Sequence, residues 1–569
     1  MKKVYLLKNR YVDSVTLMTV AVELTEREGI DGAECGMGTK QNVNLLRELG
    51  YELPADATSN DVMIALDAQS EEPMRAACEF VEESLSTGRG KREKVYHSAG
   101  DLAEGEFDVV QISLPGEYAL DEAYKAIDKG SHVFMFTADV SLEQEHDLKV
   151  YARDHGCLMM GPDAGVGLLG GVAMAAGSIV KYGPIGVIGA SGSGSQEVAC
   201  LIEQMGSGVT CVLGTGGRDL KKPVGGVSMM ADMDRLERDD DTKLICLVSM
   251  LADRDVMEKV LEKADTLSKP VVAVFLGADE ELYKGHKVTG TFNLTDAAKA
   301  CVRLVTGEEP TLGLTAQERE ELAQRSADSL SPERRYFRGL YTGGTFSEET
   351  LMTFRAEAPE ITLYTNRDNT EYARRLKTHK QSEGNTLLDM GDLDFTAEAP
   401  HTVFDPAQRV ARFRQEISDP EVALISMDII LGPGVAPDPA SCYLPMISER
   451  PDIVYVFAVC GGEGDPQGKD KIKKQLREAG VIVAESNHES AMLSTAIMKK
   501  LGGEKQMSSE LKQTPQEKPI PKSKPSVANI GIKIFYDSMA AQGVKCAQIE
   551  WVPPFKQSAE IEQLLDEFL

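Results

Sequence analysis

The chain has 569 residues, an apolar share of 42% and a formal net charge of −29. That length predicts several domains, and that charge argues against nucleic acid or an anionic membrane as the main partner. Ten cysteines are scattered with no C-x-x-C pair and no zinc spacing to histidine, so a reducing, cytoplasmic setting and no metal site are expected. The apolar run after Met1 is too short for a signal peptide, and no stretch approaches a membrane span.

Residues 1–95 read as an N-terminal α+β domain. Strands are expected at 4–8 and 62–66, with a helix from an Asp13–Ser14 cap to Glu28, stopped by Gly29, and another helix at 71–85. Gly88-Arg89-Gly90-Lys91-Arg92 reads as a linker. Residues 96–182 change to strand–helix alternation, at 109–114, 120–129, 132–136, 142–155 and 157–160, which predicts a parallel, Rossmann-like sheet.

A second α/β block covers 183–330, with strands at 185–189, 209–213, 244–248 and 271–275 and an acidic helix at 316–331. A third covers 335–504. It repeats the grammar of the second: a strand at 339–341, the turn Gly343-Gly344-Thr345, a helix at 347–356, and strands at 422–425, 453–459 and 481–483. The two blocks read as weak internal duplicates. Residues 505–527, with four prolines, form a linker. A short tail at 528–569 reads as a βαβ-like docking segment (strands at 528–530 and 546–551, a helix at 535–542), too small to bury a core alone.

Two glycine-rich turns end apolar strands of the second block. One is Gly189-Ala190-Ser191-Gly192-Ser193-Gly194; the other is Gly214-Thr215-Gly216-Gly217-Arg218-Asp219. A strand that ends this way and opens a helix presents unpartnered amides to an anion. The spacing fits neither a dinucleotide fingerprint nor a P-loop. A plain tight turn is the alternative.

The densest polar cluster lies in the third block: Asp389, Gly391 and Asp392, then His401, then Asp405-Pro406 reading as the cap of a helix Ala407–Ile417 with Arg409 in its first turn. Histidine there could move a proton near neutral pH, and arginine could grip a carboxylate or phosphate at two points. The competing reading is a capped turn with a surface histidine. Companion loops carry Gly432 and Gly434, and Gly461-Gly462-Glu463-Gly464-Asp465. Ligands of parallel sheets gather at such strand ends.

These residues resemble a known family. Gly161-Pro162-Asp163, the 189–196 loop and 214–219 look like the α-subunit of succinyl-CoA synthetase, and 387–392 like a turn of its β-subunit. The match is closer to the FdrA family of fused acyl-CoA-synthetase-like proteins. It runs nearly the whole chain, through Met37-Gly38-Thr39, Gly116-Glu117-Tyr118-Ala119, Leu340-Tyr341-Thr342-Gly343-Gly344-Thr345, Pro400-His401 and Asp465-Pro466-Gln467.

The resemblance implies a CoA-binding-type fold at 96–182 and two flavodoxin-like ligase domains at 183–330 and 335–504. It also implies a subunit of an oxamate carbamoyltransferase, which interconverts oxalurate plus phosphate with oxamate plus carbamoyl phosphate in anaerobic allantoin and purine breakdown. Phosphate or carbamoyl phosphate would then be the substrate, and other subunits of the complex the partners. Two alternatives stand beside it. One is a succinyl-CoA-synthetase-like, ADP-forming CoA ligase component that uses CoA; the other is a non-catalytic scaffold that binds acyl phosphate or CoA.

Three departures from the synthetase pattern favour the first reading: no segment is left for an ATP-grasp domain, no glutamate stands in 247–251, and Ala164 replaces a cysteine. His286 falls near the synthetase's phosphohistidine but reads as a surface residue. The expected anion site is Gly189, Ser191, Gly192, Ser193, Gly194, Gly216, Gly217, Arg218, Asp219, Gly343, Gly344, Thr345, Gly391, Gly432 and Gly434. The expected chemistry rests on His401, Asp389, Asp392, Asp405 and Arg409.

Overall fold

The computed structural model describes residues 1–502, except 9, 11, 13, 26, 28, 55, 87–95, 97, 251, 368–371 and 398, together with strands at 526–530 and 545–549. The expected cap at Asp13, the helix end at Glu28, the linker at 88–92, Leu251 and most of the tail lie outside the described residues. Residues 1–504 form one compact unit and 505–569 another. In the second unit the strands Ser526–Ile530 and Lys545–Ile549 pair in parallel.

The N-terminal part is a three-stranded antiparallel sheet with Val62–Ala68 between Lys2–Leu7 and Ile30–Met37. The central strand is almost wholly buried, because apolar clusters cover both of its faces: Val62, Ile64 and Leu66 on one, Met63 and Ala65 on the other. Next comes a small parallel sheet of Val109–Ile112, His132–Met135 and Met159–Met160.

Two seven-stranded sheets build the rest. The first runs Thr289–Thr291, Val271–Phe275, Leu244–Ser249, Tyr182–Ala190, Val209–Gly214, and then the antiparallel hairpin Val166–Leu169 and Val172–Ala175. Its five parallel strands follow the flavodoxin-like order 2-1-3-4-5. That hairpin corrects the boundary at 182, because residues 166–175 join the sheet of the following block. The second sheet is parallel throughout: Arg374–Arg375, Leu363–Thr365, Asn385–Asp389, Tyr336–Tyr341, Val422–Ile430, Val454–Cys460 and Ile482–Ala484. Its longest strand, Val422–Ile430, is buried at every position, the mark of a parallel strand covered on both faces.

In each sheet the first of the parallel strands is interior and runs straight into a helix: Tyr182–Ala190 into Gly192–Gln204, and Tyr336–Tyr341 into Gly344–Glu357. The second helix begins at Gly344, three residues before the expected start. Both helices are buried nearly all round, because each is sandwiched between its own sheet and the other block. One apolar cluster runs through both, including Val198, Leu201, Phe346, Leu351 and Leu493.

The duplication is explicit in the capping. Glu197 and Glu349 each stand five residues past their helix start. Glu197 accepts from the amide of Asn487 at 2.9 Å, at the head of the helix Asn487–Lys500 in the other half. Glu349 accepts from the amide of Leu294 at 2.9 Å, at the head of Leu294–Thr306. Each half thus satisfies donors at the head of a helix in the other half.

Candidate functional site

Both first helices open onto one cavity of about 370 Å³. Ser191, Gly192 and Ser193 line it from one side, and Thr342, Gly343, Gly344 and Thr345 from the other. The two turns touch: Ser191 Oγ lies 2.7 Å from Thr345 Oγ1, and both side chains are buried. Ser191 also accepts from the Gly194 amide at 3.2 Å, which sets the helix start. The first amides of each helix have no intrahelical partner, so two electropositive ends converge on one volume.

Asp389, Gly391, Asp392 and His401 line the same cavity. Asp389 is buried at the end of its strand and pairs with Arg367 Nη1 at 2.6 Å. Burial raises its carboxyl to about 6; Arg367 opposes that rise and Asp392 adds to it. Asp392 caps the short helix Leu393–Thr396. Burial also lowers the His401 pKa from its ordinary value, with Asp428 pulling the other way. The Val403 amide donates to His401 Nδ1 at 3.1 Å, which leaves the proton of the neutral ring on Nε2. A Cβ on Gly391 would stand 2.6 Å from that Nε2, so glycine is what lets the ring reach the cavity.

Arg367 is the cation that the sequence reading missed. It follows the short strand Leu363–Thr365 and lines the cavity. Its Nη1 donates to the Gly344 carbonyl at 3.0 Å, and its Nε lies 3.4 Å from Glu348. No motif surrounds it; the only sequence signal is a polar residue just past a strand end. Asp163 also lines the cavity, in a left-handed backbone conformation (φ 65°). It is exposed at the mouth, yet lost hydration raises its carboxyl to about 6, with Arg218 opposing.

Other expected residues sit elsewhere. Arg409 is buried outside the cavity, ion-paired with Asp428 and bonded to the Leu340 carbonyl. Asp428 in turn accepts from the amides of Thr342 and Gly343. Arg409 is therefore a brace behind the second turn, not a phosphate ligand. Asp405 is exposed and accepts from the Ala407 amide at 2.9 Å, and the cap position falls on Pro406.

Gly217 lines the cavity, but Arg218 is held by Glu145 at 2.8 Å and by the Val140 carbonyl at 3.0 Å. Asp219 is fully buried, paired with Lys149 at 2.8 Å and accepting from the Met229 amide at 3.0 Å at the head of Val227–Arg238. Gly189, Gly194 and Gly216 sit where a Cβ would strike Ser195, Ser191 and the Pro162 carbonyl. Gly432 and Gly434 back onto the carbonyls of Gly177 and Ala175. His286 pairs with Asp265 at 2.7 Å, away from the cavity.

Three family descriptions match the chain: AllF, heavy metal-associated domain, at 1–100; CoA binding domain, at 180–277; and CoA-ligase, at 340–497. The CoA-binding match therefore falls on the second block, one block later than the 96–182 segment expected to carry that fold. YahF of Escherichia coli (strain K12) is 34% identical over 507 residues, covering 86% of this chain and 98% of YahF. The α-subunit of an ADP-forming succinate–CoA ligase from Methanothermobacter thermautotrophicus is 28% identical over 206 residues, 34% of this chain and 67% of that subunit. Among solved structures, PH0766 from Pyrococcus horikoshii aligns at 15% identity over 73% of this chain and 89% of that one, with a TM-score of 0.29.

These matches overturn the carbamoyltransferase expectation. The two large blocks carry CoA-binding and CoA-ligase descriptions, and the related subunit belongs to a CoA ligase. They support the CoA-ligase alternative. The metal implied by the N-terminal description does not fit the described residues of that domain. Among the described residues no cluster of three or more His, Cys, Asp or Glu side chains could hold a metal ion, and burial pushes the Cys35 thiol up to about 12. No helix of the described residues is long and apolar enough to cross a membrane.

Proposed function

The chain belongs to the FdrA-like, acyl-CoA-synthetase-type family that includes YahF, and we propose that it is the acyl-transfer component of a CoA ligase of succinyl-CoA-synthetase type. The observation that carries this reading is the meeting of two helix N-termini, through Ser191 and Thr345, in one cavity with Arg367 and His401. A phosphoryl group there faces amides from both blocks and a guanidinium. Preorganised donors of this kind stabilise charge that develops on a leaving phosphate.

The reaction joins the CoA sulfur to the acyl carbon and breaks the carbon–oxygen bond to phosphate, and the thiol proton leaves with the phosphate. His401 contributes its Nε2–H as a donor to a phosphate oxygen. His401 stays neutral at pH 7 because burial lowers its pKa. Asp389 orients Arg367, and the Arg409–Asp428 pair holds the Thr342 and Gly343 amides in place. ATP use is assigned to a partner subunit that delivers the acyl phosphate.

Purified full-length chain, incubated with an acyl-CoA, inorganic phosphate and hydroxylamine, tests this. Phosphate-dependent release of CoA with formation of the acyl hydroxamate is expected. The proposal fails if neither the chain alone nor the chain co-expressed with neighbouring subunits discharges any of a series of acetyl-, propionyl-, butyryl- and succinyl-CoA.

A further inference from the structure

Charge around the cavity is lopsided. Its described lining contains three aspartates, Asp163, Asp389 and Asp392, and one cation, Arg367. Arg367 is already engaged by Asp389 at 2.6 Å, Glu348 at 3.4 Å and the Gly344 carbonyl at 3.0 Å. The two helix starts serve one anionic group where they meet. Apart from Gln196 and His401, the remaining wall is mainly apolar, with Phe136, Val166, Met250, Val403, Phe404 and Ile430, and the Phe136 and Phe404 rings stand edge to face at 5.9 Å.

A second carboxylate on the substrate would enter this space with no further Lys or Arg among the described lining residues to receive it. It would also face Asp163 and Asp392 across a partly desolvated gap. Like charges a few ångströms apart in such a setting cost at least about tenfold in affinity, about 1.4 kcal/mol. An aliphatic chain instead meets the apolar wall and loses water-exposed surface.

Resting on the acyl-transfer reading above, we propose that the site takes a short monocarboxylic acyl group with no second negative charge, and rejects dicarboxylates such as succinate. The reading and the selectivity are separable by experiment. Equilibrium binding of propionate, butyrate and succinate to the full chain, with no phosphate added so that one carboxylate occupies the helix starts, is measured calorimetrically. Propionate and butyrate are expected to bind at least about tenfold more tightly than succinate, and the double variant D163N/D392N should narrow that gap to under about threefold.

Equal or tighter succinate binding, no binding of either monocarboxylate, or an unchanged gap in the double variant each overturns the proposal. Thioester formation from propionyl phosphate and CoA is followed in parallel. Selective binding without any thioester overturns the ligase reading and leaves the charge selection standing.

Discussion

Ser191 Oγ and Thr345 Oγ1 lie 2.7 Å apart although 154 positions separate them in the chain. Each stands at the start of the first helix of its block, so one hydroxyl pair registers two helix N-termini against each other. Removing it should loosen that register. In a double-mutant cycle on Ser191→Ala and Thr345→Val, a coupling of about 1 kcal/mol is expected from thermal unfolding. Ser191→Ala alone should cost about 1 kcal/mol more than Thr345→Val, because it also removes the cap on the Gly194 amide. Fully additive single effects would show that the helices are registered by apolar packing alone.

Gly391 tests whether His401 works where the structure puts it. A Cβ at 391 would meet His401 Nε2 and the Thr342 carbonyl, both at 2.6 Å. Neither backbone nor ring can give way cheaply there. Gly391→Ala should lower turnover about as much as His401→Ala, at least about tenfold, and the two together should be no worse than either. An active Gly391→Ala enzyme would place the chemistry away from the imidazole.

Arg409→Ala should act on stability. The guanidinium and the Asp428 carboxylate are both buried, and breaking such a pair from one side costs about 3–5 kcal/mol. A drop of that size in urea unfolding, with the loss of activity tracking the loss of folded protein, is the expected outcome. A stably folded Arg409→Ala protein with normal substrate affinity and low turnover would instead return Arg409 to the chemistry.

The turns at 189–194 and 389–392, residues of which line the cavity, were legible as turns because glycine at a strand end followed by a helix has a direct physical meaning. The parallel α/β blocks and their duplication were legible for the same reason, through continuous apolar strands. Roles within the 389–409 cluster were not. Proximity along the chain says nothing about which face of Ala407–Ile417 a side chain takes, and Arg409 turns inward to Asp428 while His401 reaches the cavity. Arg367 carried only the weak signal of a polar residue past a strand end, since its partner Asp389 is 22 positions away. The hairpin 166–175 was not read from the sequence, and its antiparallel pairing onto Val209–Gly214, across the boundary expected at 182, is a long-range choice. The carbamoyltransferase reading came from family resemblance, and the chain's matches to CoA-binding and CoA-ligase domains corrected it.

Stability should fall with pH across the neutral range. Burial raises the Glu349 carboxyl from 4.5 to about 7, while hydrogen bonds from Asn487 and Leu294 oppose the rise. The folded state therefore holds this proton more tightly than the unfolded state. Its contribution is fully present below pH 4.5 and is lost as pH rises through about 7. Glu349→Gln keeps an acceptor for the Leu294 amide and removes the titration. Urea midpoints from pH 5 to 8 should fall in the wild type and flatten in the variant, by an amount on the order of 3 kcal/mol at most. Parallel pH profiles would assign the slope to other groups.

His286→Ala should leave turnover near wild type, since the ring is paired with Asp265 at 2.7 Å outside the cavity. Labelled phosphate transferred from an acyl phosphate and retained on His286 would refute this.

Arg367 carries the sharpest prediction, because it is the one Lys or Arg in the cavity's described lining and touches both the Gly344 carbonyl of the second turn and Asp389. Arg367→Ala should reduce turnover by about a hundredfold, close to 2.7 kcal/mol in barrier. That variant also strands the Asp389 carboxylate, so some loss could come from a misplaced turn. Arg367→Ala/Asp389→Asn removes the unpaired charge and restores neutrality. If Arg367 stabilises phosphate, the double variant stays as slow as Arg367→Ala while its thermal stability recovers. If Arg367 only neutralises Asp389, activity and stability recover together. Inorganic phosphate protection against thermal unfolding supplies an independent readout: it should be present in the wild type, absent in both variants, and weakened in Arg367→Lys, whose single ammonium cannot reproduce the forked contact.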